Sequence, residues 1–190
     1  MGAAATVRAP DPRRGGPLKL IGRTVIALQR PRSRSAPTWL GTLRRYALFV
    51  GPANLLWEIL QVPLYTIWNE GTFGEIAFSV VHCTGGDVLI ALACLVAALI
   101  LFGGAAWPTD RYGTVAAVAV ALGLAYTLYS EWRNVALRGS WVYSNLMPVV
   151  PPLETGLSPL LQWLIVPIVG LAWARRTALR TTATSPRPPP

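Results

Sequence analysis

The sequence predicts an all-α, polytopic integral membrane protein, a bundle of about four transmembrane helices, and three observations carry that prediction. Of the 190 residues, 53% are hydrophobic and only 13% charged, with a mean hydropathy of +0.43; a soluble domain carries about twice that charge fraction. Four apolar segments, at 46–68, 76–102, 114–130 and 157–173, each approach the roughly 20 residues a helix needs to cross about 30 Å of hydrocarbon. Basic residues lie almost wholly outside these segments.

The domain organisation follows from that partition. Residues 1–45 hold ten Lys/Arg against Asp11 and are broken by Pro10, Pro12, Pro17, Pro31 and Pro37, the composition of a disordered basic tail. Within it, Leu18, Ile21, Val25 and Leu28 share one helical face, so 18–30 is either a helix lying on an anionic membrane surface or an unbound segment. A four-helix transmembrane domain is expected over 46–174, and a second basic, Pro-rich tail over 175–190.

Orientation is read from charge. Ten Lys/Arg precede the first span, Arg111 separates the second and third, and Arg175, Arg176, Arg180 and Arg187 follow the fourth, whereas the opposite side has only Arg133 and Arg138. The positive-inside rule then makes both termini cytoplasmic, with a bacterial inner (plasma) membrane as the expected location. Trp68, Trp132, Trp141 and Tyr143 are expected at the outer interface, and Trp107, Tyr112 and Trp173 at the inner one. The pI near 10.6 does not imply nucleic acid, because the arginines are spread through Pro-rich tails and form no patch on a folded domain. The expected partners are the lipid bilayer, an apolar small molecule, and a membrane protein partner or a second copy of the chain.

The first span carries Asn54, Glu58, Gln61 and Tyr65 at spacings of four, three and four, one polar stripe along a helix. A carboxyl near mid-membrane costs at least a few kcal/mol and is kept when it faces protein, water or a partner. Pro63 is expected to kink this helix and free the carbonyl of Ile59. The second span opens "VVHCTGGDV". On an ideal helix His82 and Asp87 diverge, but Gly85 and Gly86 could unwind and turn both inward. Otherwise Cys83 and Asp87 share a face, and His82 lies nearer the interface. Cys83 and Cys94, about 16 Å apart on one helix, cannot bond to each other.

The third span places Gly123, Thr127, Glu131 and Asn134 on one stripe, while Ala117, Ala121 and Ala125, like Ala93 and Ala97, are expected to let helices approach closely. The following long loop, rich in Pro and aromatics, should lie over the mouth of the bundle as a lid or re-entrant hairpin. Ser158 and Gln162 then open the last helix on one face, with Pro167 a further kink.

These features give a polar cavity facing outward. Glu58, Asp87 and Glu131 are its candidate catalytic groups, and Asn54, Gln61, Tyr65, His82, Asn134, Trp141 and Tyr143 its candidate binding groups. Carboxyls, one imidazole and amides under an aromatic lid suit acid/base work on a small or lipid-like molecule. The setting is similar to that of membrane-embedded isomerases, cyclases and hydratases acting on isoprenoids or sterols, though residue order and spacing transfer no role. The alternatives are a non-enzymatic membrane subunit or assembly factor, or a component that binds or transports a metal or other cation. No metal-ligand spacing, Walker loop, dinucleotide fingerprint or nucleophile elbow is present, and no cofactor is assigned.

Overall fold

The computed structural model describes residues 39–151 and 154–183. The N-terminal tail through residue 38, including the expected surface helix at 18–30, and residues 184–190 lie outside the described part. Helix α1 (Trp39–Gln61) runs into a 3-10 turn (Val62–Leu64) and a short α2 (Ile67–Glu70). Then come α3 (Phe73–Phe102), α4 (Tyr112–Glu131) with a π-helical turn (Trp132–Leu137), a two-residue hairpin β1 (Val149–Val150) and β2 (Thr155–Gly156), and α5 (Leu157–Ala183). Among the described residues, four helices are long and apolar enough to cross a membrane, consistent with an all-α helical bundle of the membrane-protein kind.

The distribution of polarity is that of a body solvated by hydrocarbon. Phe73, Ile100, Leu48, Leu89 and Leu60 point outward, while Asn54, Glu58, Gln61, Thr127, Glu131 and Gln162 are buried. In water, so much exposed apolar surface would drive aggregation; in lipid it costs nothing, and the polar groups are the ones that must turn inward.

Each helix runs against its neighbours in the order α1, α3, α4, α5 around the bundle. The end of α1 meets the start of α5 through Trp57 and Ser158, and its middle meets the second half of α5 through Phe49 and Trp173, with ring centroids 5.7 Å apart. Tyr46, Val50, Leu95, Val115 and Leu171 form the apolar core near the termini end. Helix α3 begins with a capping box, in which Glu75 Oε2 accepts the Thr72 N–H at 2.8 Å and the Thr72 hydroxyl accepts the Glu75 N–H.

Several expectations are corrected. The first helix starts at Trp39, so Arg44 and Arg45 lie on it, and α5 continues past residue 174. Pro63 does not kink a continuing helix; it sits in the first turn of the 3-10 segment, where its missing N–H costs little, and α1 ends at Gln61. The Gly85–Gly86 pair does not unwind, because α3 is one continuous helix. Ala117, Ala121, Ala125 and Ala93 face outward; the close-packing positions are Val115, Ala119 and Gly123 on α4, and Ala91, Leu95 and Ala98 on α3. Trp107 does not mark an interface, being only 1% exposed at the base of the bundle.

Gly123 shows how tight the packing is at the level of the polar layer. A Cβ there would land on the six-membered ring of Trp163. Gly123→Val is therefore expected to destabilise the protein by about 1–3 kcal/mol through overpacking, read as a lowered thermal midpoint in detergent. An unchanged midpoint would mean that Trp163 moves aside freely.

Candidate functional site

Three helices carry the deepest polar cluster. On α1, Asn54, Glu58 and Gln61 share the buried face that their spacing predicts. Opposite them, Gln162 of α5 extends its amide into the gap: Nε2 lies 2.8 Å from Asp87 Oδ2, 3.1 Å from Glu58 Oε1 and 3.1 Å from Asn54 Oδ1. Gln61 Nε2 donates to Glu58 Oε1 at 2.7 Å and to Gln162 Oε1 at 3.2 Å. Ser158 donates to Gln61 Oε1 at 2.8 Å and accepts from the Trp57 indole at 3.2 Å. The Asp87 carboxyl lies within hydrogen-bonding reach of Glu58. One amide nitrogen thus faces three oxygens with two hydrogens to give, and two of those oxygens belong to neighbouring carboxyls.

A second cluster sits toward the loop end. The Tyr143 hydroxyl donates to Glu131 Oε2 and accepts the Gly156 N–H at 2.9 Å. Burial, and then the bonded Glu131 carboxylate, push the Tyr143 phenol above its ordinary range, so it stays a protonated donor. Tyr65 is likewise raised, chiefly by burial. The Trp141 indole N–H is buried beside the Glu131 carboxyl.

The loop is built onto the end of α1. Tyr65 and Tyr143 form an antiparallel bridge with rings 5.6 Å apart. Thr66 N–H donates to Val142 O at 3.0 Å, and Ser144 N–H to Leu64 O at 2.8 Å. These bonds satisfy backbone that the ended helix and the irregular loop would otherwise leave unpaired. Gly139, at φ 59°, takes the left-handed conformation that turns the chain out of the π-helical segment.

Between the two clusters lies a cavity of about 1000 Å³, lined from α1, α2, α3, α4, α5 and the loop, with the buried Glu58 and half-buried Asp87 and Ile90 marking its deep end and the exposed Glu70, Phe78 and His82 its mouth. All three candidate catalytic carboxyls line it, as do Gln61, Tyr65, His82, Asn134 and Trp141. Asn54 and Tyr143 stand behind the lining, bonded to Gln162 and Glu131. Tyr65 reaches the site through its bridge to Tyr143, not as a continuation of the α1 stripe. His82 is exposed and stacked on Phe78 at 5.4 Å, as a straight α3 requires. The Asn134 side-chain amide donates to Ser130 one turn back, and its backbone carbonyl accepts the Ser140 N–H. Among the described residues, no three His, Cys, Asp or Glu side chains gather as a metal site would need.

Sequence reasoning left Gln162, Trp57 and Trp163 out of the site. The signal for Gln162 was present in its i, i+4 pairing with Ser158 at the head of an apolar helix, but that spacing does not say which carboxyls it meets. Because its amide is the shared donor, Gln162→Leu should lower stability by about 1–3 kcal/mol by leaving buried carboxyls unpaired. Chemical or thermal unfolding in detergent reads this, and a neutral effect would show the amide to be dispensable. No family model, curated protein or solved structure matches this chain.

Proposed function

We propose that this is a multi-pass membrane protein with both termini cytoplasmic, whose outward-opening cavity binds a small or lipid-like, isoprenoid-type molecule and converts it by acid/base chemistry. One observation carries the reading: Glu58 and Asp87 lie side by side at the deep end of a cavity of about 1000 Å³, joined through Gln162. Two carboxyls this close in apolar surroundings share a proton, which gives one acid and one base in contact with the same space. Glu58 is the proton-transfer group and Asp87 its partner. Glu131, held by Tyr143, is a second acid–base group nearer the mouth. Tyr65, Trp141 and Trp163 supply the apolar and aromatic wall that a hydrocarbon body needs.

A second reading, a non-enzymatic subunit, is favoured by one feature: Gly113, Ala117, Ala121 and Ala125 form an exposed stripe along α4 that another helix could approach closely. A protein that copurifies in stoichiometric amount would favour it.

Gly86 lines the cavity and has nothing within 4 Å of where a Cβ would stand. Gly86→Leu should therefore fill the cavity without disturbing the bundle, and should even favour the helix, since glycine costs about 1 kcal/mol there. Native mass spectrometry of the protein from mild detergent should find a small apolar molecule on the wild type and none on Gly86→Leu. Glu58→Gln should retain the molecule and lose its conversion by about a hundredfold or more. Identical spectra for wild type and Gly86→Leu would sink the cavity as a ligand site.

Orientation is checked separately. With Cys83 and Cys94 replaced by serine, an impermeant thiol reagent should label Asn69→Cys from outside and Ala105→Cys only after permeabilisation. The reverse pattern would invert the topology.

A further inference from the structure

The cavity is charged in one sense only. Glu58, Asp87 and Glu131 line its interior and Glu70 its mouth, and among the described residues no lysine or arginine lines it. Glu75 also borders it, but its carboxylate is engaged in capping α3. Glu58 and Glu131 are 8% and 7% exposed, so little solvent is available to screen them. The donors that reach the interior carboxyls are neutral: two amides, a phenol and the Trp141 indole. His82, the remaining lining group able to carry positive charge, is exposed and stacked on Phe78, with no bond to the three carboxyls.

Aromatic rings stand among these groups. Tyr65, Phe78, Tyr126, Trp141 and Trp163 line the same space, and the faces of such rings attract cations. Negative charge in an apolar enclosure with no counter-ion is costly. A proton taken up by a carboxyl relieves part of that cost; of the possible ligands, a neutral one leaves the remainder in place, an anionic one raises it, and a cation offsets it.

We propose that the ligand of this cavity is an organic cation, an apolar body bearing a protonated or quaternary amine, with its positive charge seated against the Glu58–Asp87 pair and its body on the aromatic wall. The inference rests on the reading of the cavity as a ligand site and names the class of molecule it takes. Aromatic faces suit a quaternary or alkylated ammonium, which sheds its water more easily than a small metal ion.

The test is equilibrium dialysis of the full chain in nanodiscs against empty nanodiscs, with three probes of similar size: benzyltrimethylammonium, its neutral isostere neopentylbenzene, and benzenesulfonate. Benzyltrimethylammonium should bind at one per chain, about tenfold or more tighter than neopentylbenzene, with benzenesulfonate weakest. The preference should vanish in Glu58→Gln/Asp87→Asn, which keeps the shape and hydrogen bonding of the pair, and Gly86→Leu should abolish binding. Equal binding of the ammonium and its neutral isostere, both lost in Gly86→Leu, would overturn the cation inference while leaving the cavity a ligand site. Ammonium binding untouched by either variant would place the cation elsewhere and overturn it as well. If no probe binds above empty nanodiscs, the inference falls together with the cavity reading.

Discussion

A carboxyl carried on the inner face of a membrane-crossing helix must find hydrogen-bond partners inside the protein, because hydrocarbon offers none. Glu58 sets that requirement, and much of the bundle's loop-side half is arranged to meet it. Its oxygen accepts from Gln61 on its own helix and from Gln162 across the bundle. Gln162 in turn ties α5 to Asn54 of α1 and to Asp87 of α3. In lipid no hydrophobic drive pulls helices together, so these bonds, with the tight van der Waals fit of Gly123 on Trp163, hold what water would otherwise compress.

The same accounting shapes the irregular end. Once Pro63 brings α1 to a close, the carbonyls of Pro63 and Leu64 need donors, and the loop after α4 supplies them from Ser144. The strap that results also delivers Tyr143 to Glu131. The backbone's need for partners therefore positions a side chain of the site.

The helices and the polar stripe of α1 were legible because both are periodic: apolar length gives the spans, and Asn54, Glu58 and Gln61 repeat at helical spacing. What was not legible depends on rotation and on chain ends. An alanine stripe reads the same whether it faces a helix or lipid, and in α4 the neighbouring positions Val115, Ala119 and Gly123 took the inner face. Tyr65 continues the α1 spacing on paper, yet α1 ends four residues earlier. Of the two arrangements open to His82 and Asp87, the continuous α3 selects the one with Asp87 inward and His82 outward, since a glycine pair permits unwinding but does not compel it. The partnership of Gln162 with two carboxyls joins residues 75 and 104 positions apart, and no local pattern encodes such a distance.

The pairing of Asp87 with Glu58 bears most directly on whether the cluster is structure or site. As structure alone, Glu58 is already served: it accepts from two amides, and Gln162 could spend its second hydrogen on Asn54. Asp87 adds a second carboxyl to a donor that has none to spare, beside a like group, in surroundings where each unpaired charge costs several kcal/mol. Asparagine at that position would bring a donor of its own and relieve the shortage. Packing thus accounts for Asn54, Gln61 and Gln162, whereas Asp87 needs a proton held between it and Glu58, the acid–base arrangement proposed for the site. A carboxyl that makes this demand on the fold while lining the cavity is the residue on which the proposed site turns.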